Sequence, residues 1–136
     1  MELDEARHFM TEHHRAVMHT YRADATPQLS PVTVTADAQG RAVVSTRETS
    51  VKVLNLTADP RTSLCVFTDA FYGPWIRIDG RAEVVTLPEA MEPLVDYFRR
   101  INGEHPDWEE YRAAMEAERR VLLRIELETA GPDLTG

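Results

Sequence analysis

The chain has 136 residues, a net charge of −8, 43% hydrophobic and 28% charged residues, and a single cysteine. This length suits one domain spanning residues 1–136, the negative charge argues against a general nucleic-acid binder, and one cysteine excludes an internal disulfide. No apolar run is long enough to span a membrane, and the acidic N-terminus lacks the features of a signal peptide, so we expect a cytoplasmic protein without nucleic-acid or membrane partners.

The first third of the chain predicts one helix and an antiparallel meander. Apolar residues recur at helical spacing over residues 4–14, where Asp4 is a plausible N-cap. Three segments rich in alternating β-branched residues follow, separated by short turns, and they predict strands at Arg15–Tyr21, 28–35 and 41–46. Pro31 lies within the second of these strands and predicts an edge or a bulge there, because proline cannot donate a ladder hydrogen bond.

The remaining two thirds predict more strands than helices. Gly80 interrupts one alternating run and indicates a bulge. Strands that follow one another without regular strand–helix alternation favour an antiparallel sheet that curls into a barrel, an α+β fold with flanking helices. The predicted elements are a short helix after residue 50, strands at 64–67, Trp75–Val85 and 121–127, a loop at 69–74, helices at 87–101 and 107–119, and a loose tail at 130–133.

The stretch around Lys52 has the composition of a phosphate site. Lys52 is the one lysine among fifteen basic residues, and it falls in the first turn of the predicted short helix. A helix start offers free N–H groups and the positive end of the helix dipole, to which a lysine adds a point charge. Four hydroxyl-bearing residues precede it at the end of the strand and in the following turn, namely Ser45, Thr46, Thr49 and Ser50.

Other kinds of site are poorly supported. The spacing of His8, His13, His14 and His19 does not match a zinc-binding helix, so we expect no metal site. Cys65 lies in an apolar run without a neighbouring cation and is expected to be a buried, inert core residue. No nucleophile elbow, glycine-rich dinucleotide motif or P-loop occurs, and the acidic residues near position 107 favour a solvated helix face.

Several motifs together resemble those of the pyridoxamine 5′-phosphate oxidase-like superfamily of flavin and deazaflavin split barrels. The lysine is followed by Asn-Leu-Thr-Ala-Asp-Pro-Arg at residues 55–61, and Ile-Asp-Gly-Arg-Ala at residues 78–82 resembles the next pair of family strands. Residues 27–30 and 97–108, continued by residues 119–123, are similar to the actinobacterial branch that uses the deazaflavin coenzyme F420. The resemblance covers nearly the whole chain.

This resemblance implies a homodimer of six-stranded split β-barrels, with two cofactor sites in grooves between the protomers. Lys52 matches the phosphate-binding lysine of the family, and Trp75 matches the wall contributed by the partner. Family members often carry an arginine just before the lysine, where this chain has Ser50 and Val51, so either Arg47 takes its place or the affinity for phosphate is reduced. The other implied cofactor-binding residues are Ser45 and Thr46 with the turn Thr49, Ser50 and Val51, then Gln28, Ser30 and Val32 on the neighbouring strand, and Asn55.

The function implied is hydride transfer from reduced F420 to a small electron-poor organic acceptor, with no catalytic residue assigned. Such chemistry depends on positioning the cofactor ring more than on a dedicated acid or base. The F420 tail carries carboxylates, so arginines such as Arg99, Arg100 and Arg119 are expected to form a local positive groove. Two alternatives stay open: an FMN-binding oxidase or reductase, and a protein that binds or stores a flavin or F420 without turnover.

Overall fold

A computed structural model describes residues 1–132 and contains six strands in a closed antiparallel barrel, in the order β1-β2-β3-β6-β5-β4. This confirms the α+β class and the predicted meander. The strands are β1 (Arg15–Tyr21), β2 (Pro27–Ala36), β3 (Ala42–Arg47), β4 (Arg61–Phe67), β5 (Trp75–Val85) and β6 (Arg120–Gly131). The helices are α1 (Leu3–Glu12), α2 (Val51–Ala58), α3 (Met91–Asn102) and α4 (Trp108–Ala117).

The barrel interior is filled by the apolar residue at every second strand position, as the alternation predicts. Met18, Val44, Ile78 and Ile125 are fully buried there, together with Met10 from α1. Helix α1 is preceded by Glu2 as the N-cap residue, so the prediction of Asp4 as the cap is wrong, and Asp4 lies in the first turn instead. An acidic residue in that turn still complements the positive end of the helix dipole.

Cys65 is half-buried on the outer side of β4, so the prediction of a core cysteine is wrong. Its neighbours Leu64 and Val66 are the residues that point inward. Partial burial raises the pKa of the Cys65 thiol, because the thiolate is poorly solvated there. The thiol is therefore held in its less reactive protonated form.

Two sequence signals in the sheet are confirmed. Pro31 pairs with Val17 of β1, whereas β2 meets β3 only from Val34 onward, so the other side of Pro31 is an edge. Gly80 lies at a register shift between β5 and β6. A Cβ atom at this position would clash with the backbone carbonyl of Glu126, so the two strands approach here too closely for any other residue.

Strand β6 continues further than the sequence predicts. Ala130 and Gly131 pair with Ile78 and Arg77 of β5, so the prediction of a loose tail is wrong for these two residues. The long strand β5 supplies the pairing partners that a local reading of a small residue and a glycine does not suggest. Residue 133, the last of the predicted tail, lies outside the described part of the chain.

Helices α3 and α4 form a hairpin between β5 and β6 that has its own small core. Leu94 and Val95 of α3 pack against Tyr111 and Met115 of α4 and against Leu122 of the barrel wall. The predicted cap is confirmed, because the Asp107 carboxylate accepts a hydrogen bond from the backbone N–H of Glu110. Helix α3 begins at Met91 rather than at residue 87, since residues 87–90 form a turn.

No helix within residues 1–132 is both long enough and apolar enough to cross a bilayer.

Candidate functional site

Helix α2 places Lys52 directly after a barrel strand. Residues 48–50 turn the chain out of β3, and the Ser50 carbonyl accepts hydrogen bonds from the N–H groups of Val53 and Leu54. The backbone N–H groups of Val51 and Lys52 form no hydrogen bond within residues 1–132. The buried face of the helix, formed by Val53, Asn55 and Leu56, packs on the barrel and leaves Lys52 half-buried beside it.

A cavity of about 650 Å³ lies between the barrel wall and the helical hairpin, and we call it the barrel–hairpin cavity. Strands β2, β3 and β6 supply one side, the hairpin supplies the other, and Lys52 enters from the start of α2. Its volume falls in the range typical of small-molecule and cofactor sites. The lining residues are Pro31, Val32, Thr33, Ser45, Thr46, Lys52, Tyr97, Phe98, Tyr111, Met115 and Arg120.

The cavity contains an unpaired cation. Within residues 1–132, no carboxylate forms an ion pair with the Lys52 ammonium, and no hydrogen bond joins it to a side chain or a carbonyl. Burial lowers the pKa of Lys52, because the charged form is partly removed from water. A half-buried ammonium without a partner is electrostatically costly, and an anion in the cavity would relieve that cost.

Two tyrosines form the hairpin side of the cavity as neutral walls. The Tyr97 hydroxyl donates to the Thr33 carbonyl at 2.8 Å, and the Tyr111 hydroxyl donates to the Leu94 carbonyl at 2.8 Å. Burial raises the pKa of each phenol to about 12. Both rings are therefore protonated at neutral pH and anchored to the backbone, so they can hold an aromatic ligand in place but not act as bases.

A second concave surface, which we call the α2 groove, lies on the other side of α2 and has a volume of about 810 Å³. Two arginines line it: Arg61 pairs with Asp59 at 2.7 Å and lies 4.5 Å from the ring centre of Tyr21, whereas Arg22 is exposed and forms no ion pair within residues 1–132. The Asn55 amide donates to the Thr20 hydroxyl at 3.0 Å, and that hydroxyl donates to the Gln28 side chain at 3.2 Å. Polar groups of the α2 groove thus bind one another.

The structure brings one group of the predicted site residues to the cavity and another to the α2 groove, and the rest lie outside both. Val32, Ser45, Thr46 and Lys52 meet in the barrel–hairpin cavity. Val51 and Asn55 line the α2 groove, and Gln28 belongs to the hydrogen-bonded chain of that groove. Thr49 and Ser50 lie in the turn before α2, Arg47 ends β3, Ser30 lies on β2, and Trp75 begins β5 with 40% of its surface exposed.

Ser30 and Ser50 have one property in common that suits a ligand-binding region. The hydroxyl oxygen of each is buried and has no hydrogen-bond partner within residues 1–132. Buried hydroxyls are almost always hydrogen-bonded in folded proteins, so these two exceptions, one on β2 and one in the turn before α2, require an explanation. Binding of a polar ligand would supply one.

The sequence did not identify the hairpin wall as part of the site. Tyr97, Phe98, Tyr111 and Met115 lie in the two predicted helices, and only the tertiary fold shows that these side chains line a cavity. The arginines expected to form a positive groove lie elsewhere: Arg99 pairs with Glu104, Arg100 pairs with Asp96, and Arg119 pairs with Glu48. The arginine that does line the cavity is Arg120.

No group of three or more His, Cys, Asp or Glu side chains is close enough to hold a metal ion within residues 1–132. The cavity lining likewise contains no carboxylate and no histidine among the described residues. The arrangement can therefore hold an anionic ligand with an aromatic ring, and it carries no evident general base.

Comparisons with known proteins identify a family and structures with the same fold. A family model described as pyridoxamine 5′-phosphate oxidase matches residues 3–131. The conserved hypothetical protein Rv2991 from Mycobacterium tuberculosis has a similar structure, with a TM-score of 0.77 and 23% identity over 100% of this chain and 92% of that one. An F420 reductase has a TM-score of 0.70 and 17% identity over 92% of this chain and 94% of that one. General Stress Protein 26 from Bacillus anthracis has a TM-score of 0.65 and 14% identity over 96% and 92%.

Proposed function

The chain belongs to the pyridoxamine 5′-phosphate oxidase family, and on that premise we propose that it is a reductase that transfers a hydride from reduced F420 to a small electron-poor organic acceptor. The observation that carries this proposal is the unpaired Lys52 ammonium in a cavity that also has hydroxyls and an aromatic wall. The matching family model is described as pyridoxamine 5′-phosphate oxidase, which is an oxidoreductase, and a structurally similar protein is an F420 reductase.

The residues of the barrel–hairpin cavity fit a phosphate-bearing cofactor. Lys52, the free N–H groups at the start of α2 and the hydroxyls of Ser45 and Thr46 would bind the phosphate. Tyr97 and Phe98 would face the ring system, and their rigid wall would keep water away from it. When bound, the deazaflavin supplies the hydride, and the chain supplies position and a dry surface.

FMN is the second candidate cofactor, and the charge of the protein favours it. The chain carries a net charge of −8, which repels the carboxylates of a long F420 tail, whereas FMN has one phosphate and no tail. The cavity also offers few cations beyond Lys52. An FMN-dependent oxidase or reductase would use the same residues for the phosphate and the ring.

Binding without turnover is a further candidate, because no carboxylate or histidine within the described part of the chain lines the cavity. A binding or storage protein needs affinity only. Hydride transfer also needs access for the acceptor, which the loop at residues 69–74 would control.

We also propose that the protein acts as a homodimer in which Trp75 of one copy approaches the cofactor of the other. An exposed apolar surface supports this. Tyr72 is 97% exposed and stacks edge-on against Phe71, whose ring contacts Phe67 at the start of the same loop. A soluble monomer rarely exposes such a cluster, and a second copy would cover it. Sedimentation equilibrium should give twice the chain mass, and a Phe71→Glu, Tyr72→Glu double variant should give the chain mass.

The test of the proposed function is a fluorescence titration of the purified protein with F420 and, separately, with FMN. We expect saturable binding of F420, followed by oxidation of reduced F420 in the presence of a nitro, quinone or enone acceptor. Saturable binding of FMN but not of F420 would mean that the cofactor is FMN. Tight binding without transfer to any acceptor would identify a binding or storage protein, and failure to bind either cofactor would refute the proposal.

A further inference from the structure

Arg120 reaches the barrel–hairpin cavity from a part of the chain remote from Lys52. It is the first residue of β6, and the antiparallel pairing of β6 with β3 sets it opposite Arg47, one position beyond the pair formed by Thr46 and Val121. The hydroxyl-bearing end of β3 and the start of β6 therefore lie side by side. Arg120 and Lys52 both line the cavity.

Glu118 holds the Arg120 guanidinium in a fixed orientation. A single carboxylate oxygen, Oε1, accepts hydrogen bonds from Arg120 Nε at 3.0 Å and from Arg120 Nη2 at 2.8 Å. The Arg120 side chain is 28% exposed, and the remaining N–H groups of its guanidinium are not used by this contact. An arginine fixed on one edge keeps donors available for a second anion, at a reduced cost in side-chain entropy.

The positive charge in this region exceeds the negative charge. Oε1 of Glu118 also accepts a weak contact from Arg47 Nη2 at 3.5 Å, so one carboxylate serves two arginines. Lys52 adds a third cation without a carboxylate of its own. The charge of Arg120 opposes the rise in the pKa of both Tyr97 and Tyr111, whereas the charge of Glu118 adds to the rise at Tyr111.

We propose that Arg120 and Lys52 together form the anion subsite of the barrel–hairpin cavity, with Glu118 as the residue that positions Arg120. The subsite takes the phosphate of the cofactor. Arg120 thus supplies from β6 the cation that the positions before Lys52, Ser50 and Val51, do not supply. Naming the anion as a cofactor phosphate rests on the proposed function, whereas the two-cation subsite itself does not.

The test compares ligands that differ only in the phosphate. Arg120→Gln removes the charge but keeps part of the length and of the hydrogen-bonding capacity of the side chain, and Arg120→Ala removes all three. We expect each variant to bind FMN or F420 about tenfold to a hundredfold more weakly, the loss of one charge-assisted interaction, and to bind riboflavin, which has no phosphate, as the wild type does. Arg124→Ala is the matched control, because Arg124 lies on the same strand, pairs with Glu83 and does not line the cavity.

Glu118→Gln tests the positioning role, and inorganic pyrophosphate tests the subsite without a flavin. Glu118→Gln should weaken FMN or F420 binding and leave riboflavin binding unchanged, which a general loss of structure would not do. Pyrophosphate should bind the wild type more tightly than the Arg120→Gln and Lys52→Ala variants, whether or not any flavin binds. If wild type binds no flavin but shows this difference, the proposed function fails and the subsite stands. The subsite would be overturned if the Arg120 variants lost equal affinity for FMN and riboflavin. It would also be overturned if pyrophosphate bound these variants as tightly as it binds the wild type.

Discussion

Helix α2 supplies side chains to both the barrel–hairpin cavity and the α2 groove, and the two sites differ in how their cations are paired. Lys52 has no carboxylate partner within residues 1–132, whereas Arg61 is bound by Asp59 at 2.7 Å and covers the Tyr21 ring. The hydrogen bonds from Arg61 lower the pKa of Asp59 to about 2, so this pair persists over nearly the whole pH range.

In the α2 groove, Arg61 already has a partner and the unpaired Arg22 is exposed to water, whereas an anion entering the cavity meets a half-buried cation without a partner. The α2 groove is the larger of the two, at about 810 Å³ against about 650 Å³. Unpaired charge that is also partly buried therefore identifies the anion site better than size does.

The largest expected effect concerns stability and contrasts two leucines. Leu94 is fully buried in the hairpin core, so Leu94→Ala should lower the free energy of unfolding by about 2–5 kcal/mol. Leu54 is 72% exposed at the α2 groove, so Leu54→Ala should change it by less than about 0.5 kcal/mol. Urea titration measures both. Equal losses would mean that the α2 groove is covered in solution and the contrast between the two sites is wrong.

The next effect contrasts the two cations in cofactor affinity. Lys52→Ala should weaken cofactor binding by about 1.5–3 kcal/mol, the worth of one charge-assisted hydrogen bond, without unfolding the protein. Arg61→Ala should leave affinity unchanged, because Arg61 lines the α2 groove and not the barrel–hairpin cavity. Fluorescence titration and thermal unfolding of both variants separate affinity from stability. A loss of affinity in Arg61→Ala alone would move the site to the groove.

Asn55→Ala should show the opposite pattern from Lys52→Ala. Asn55 is buried and links α2 to Thr20 of β1, so its removal should cost about 1–3 kcal/mol of stability. Cofactor affinity should be nearly unchanged, since Asn55 does not line the barrel–hairpin cavity. Titration of the folded variant with the cofactor measures this affinity. An Asn55→Ala protein that is stable but does not bind cofactor would restore Asn55 as a binding residue.

The smallest effect is a dependence on alkaline pH. Burial lowers the pKa of Lys52, so its charge is lost at a lower pH than that of an ordinary lysine, and affinity should fall as the pH rises through that value. The unfolded chain binds the proton more tightly, so the contribution of Lys52 to stability rises over the same window. Lys52→Arg should keep its affinity there, because guanidinium remains charged. If the cofactor affinity of the wild type and of Lys52→Arg falls over the same pH range, another group causes the pH dependence.

Much of the fold follows from local sequence because the local signals are strong. Strand β5 has the predicted bounds, since its alternation continues through the bulge at Gly80. The end of β6 was missed because Ala130 and Gly131 are held by pairing with β5 rather than by any strand propensity of their own.

The residues of the site also separate into those that local sequence predicts and those that it does not. Ser45, Thr46 and Lys52 are close in sequence, so a strand end followed by a helix start predicts them together. Tyr97 and Arg120 come from α3 and β6, and nothing in their own segments indicates that they face Lys52. Barrel closure and the pairing of β3 with β6 bring them there, and those are long-range contacts that a single sequence does not encode in a readable pattern.

The most direct test of the central claim is a crystal structure of the protein with bound F420 or FMN. We expect the phosphate to lie within hydrogen-bonding distance of Lys52 Nζ, with the ring system against the hairpin wall at Tyr97. A phosphate bound in the α2 groove, with Lys52 still unpaired, would contradict it.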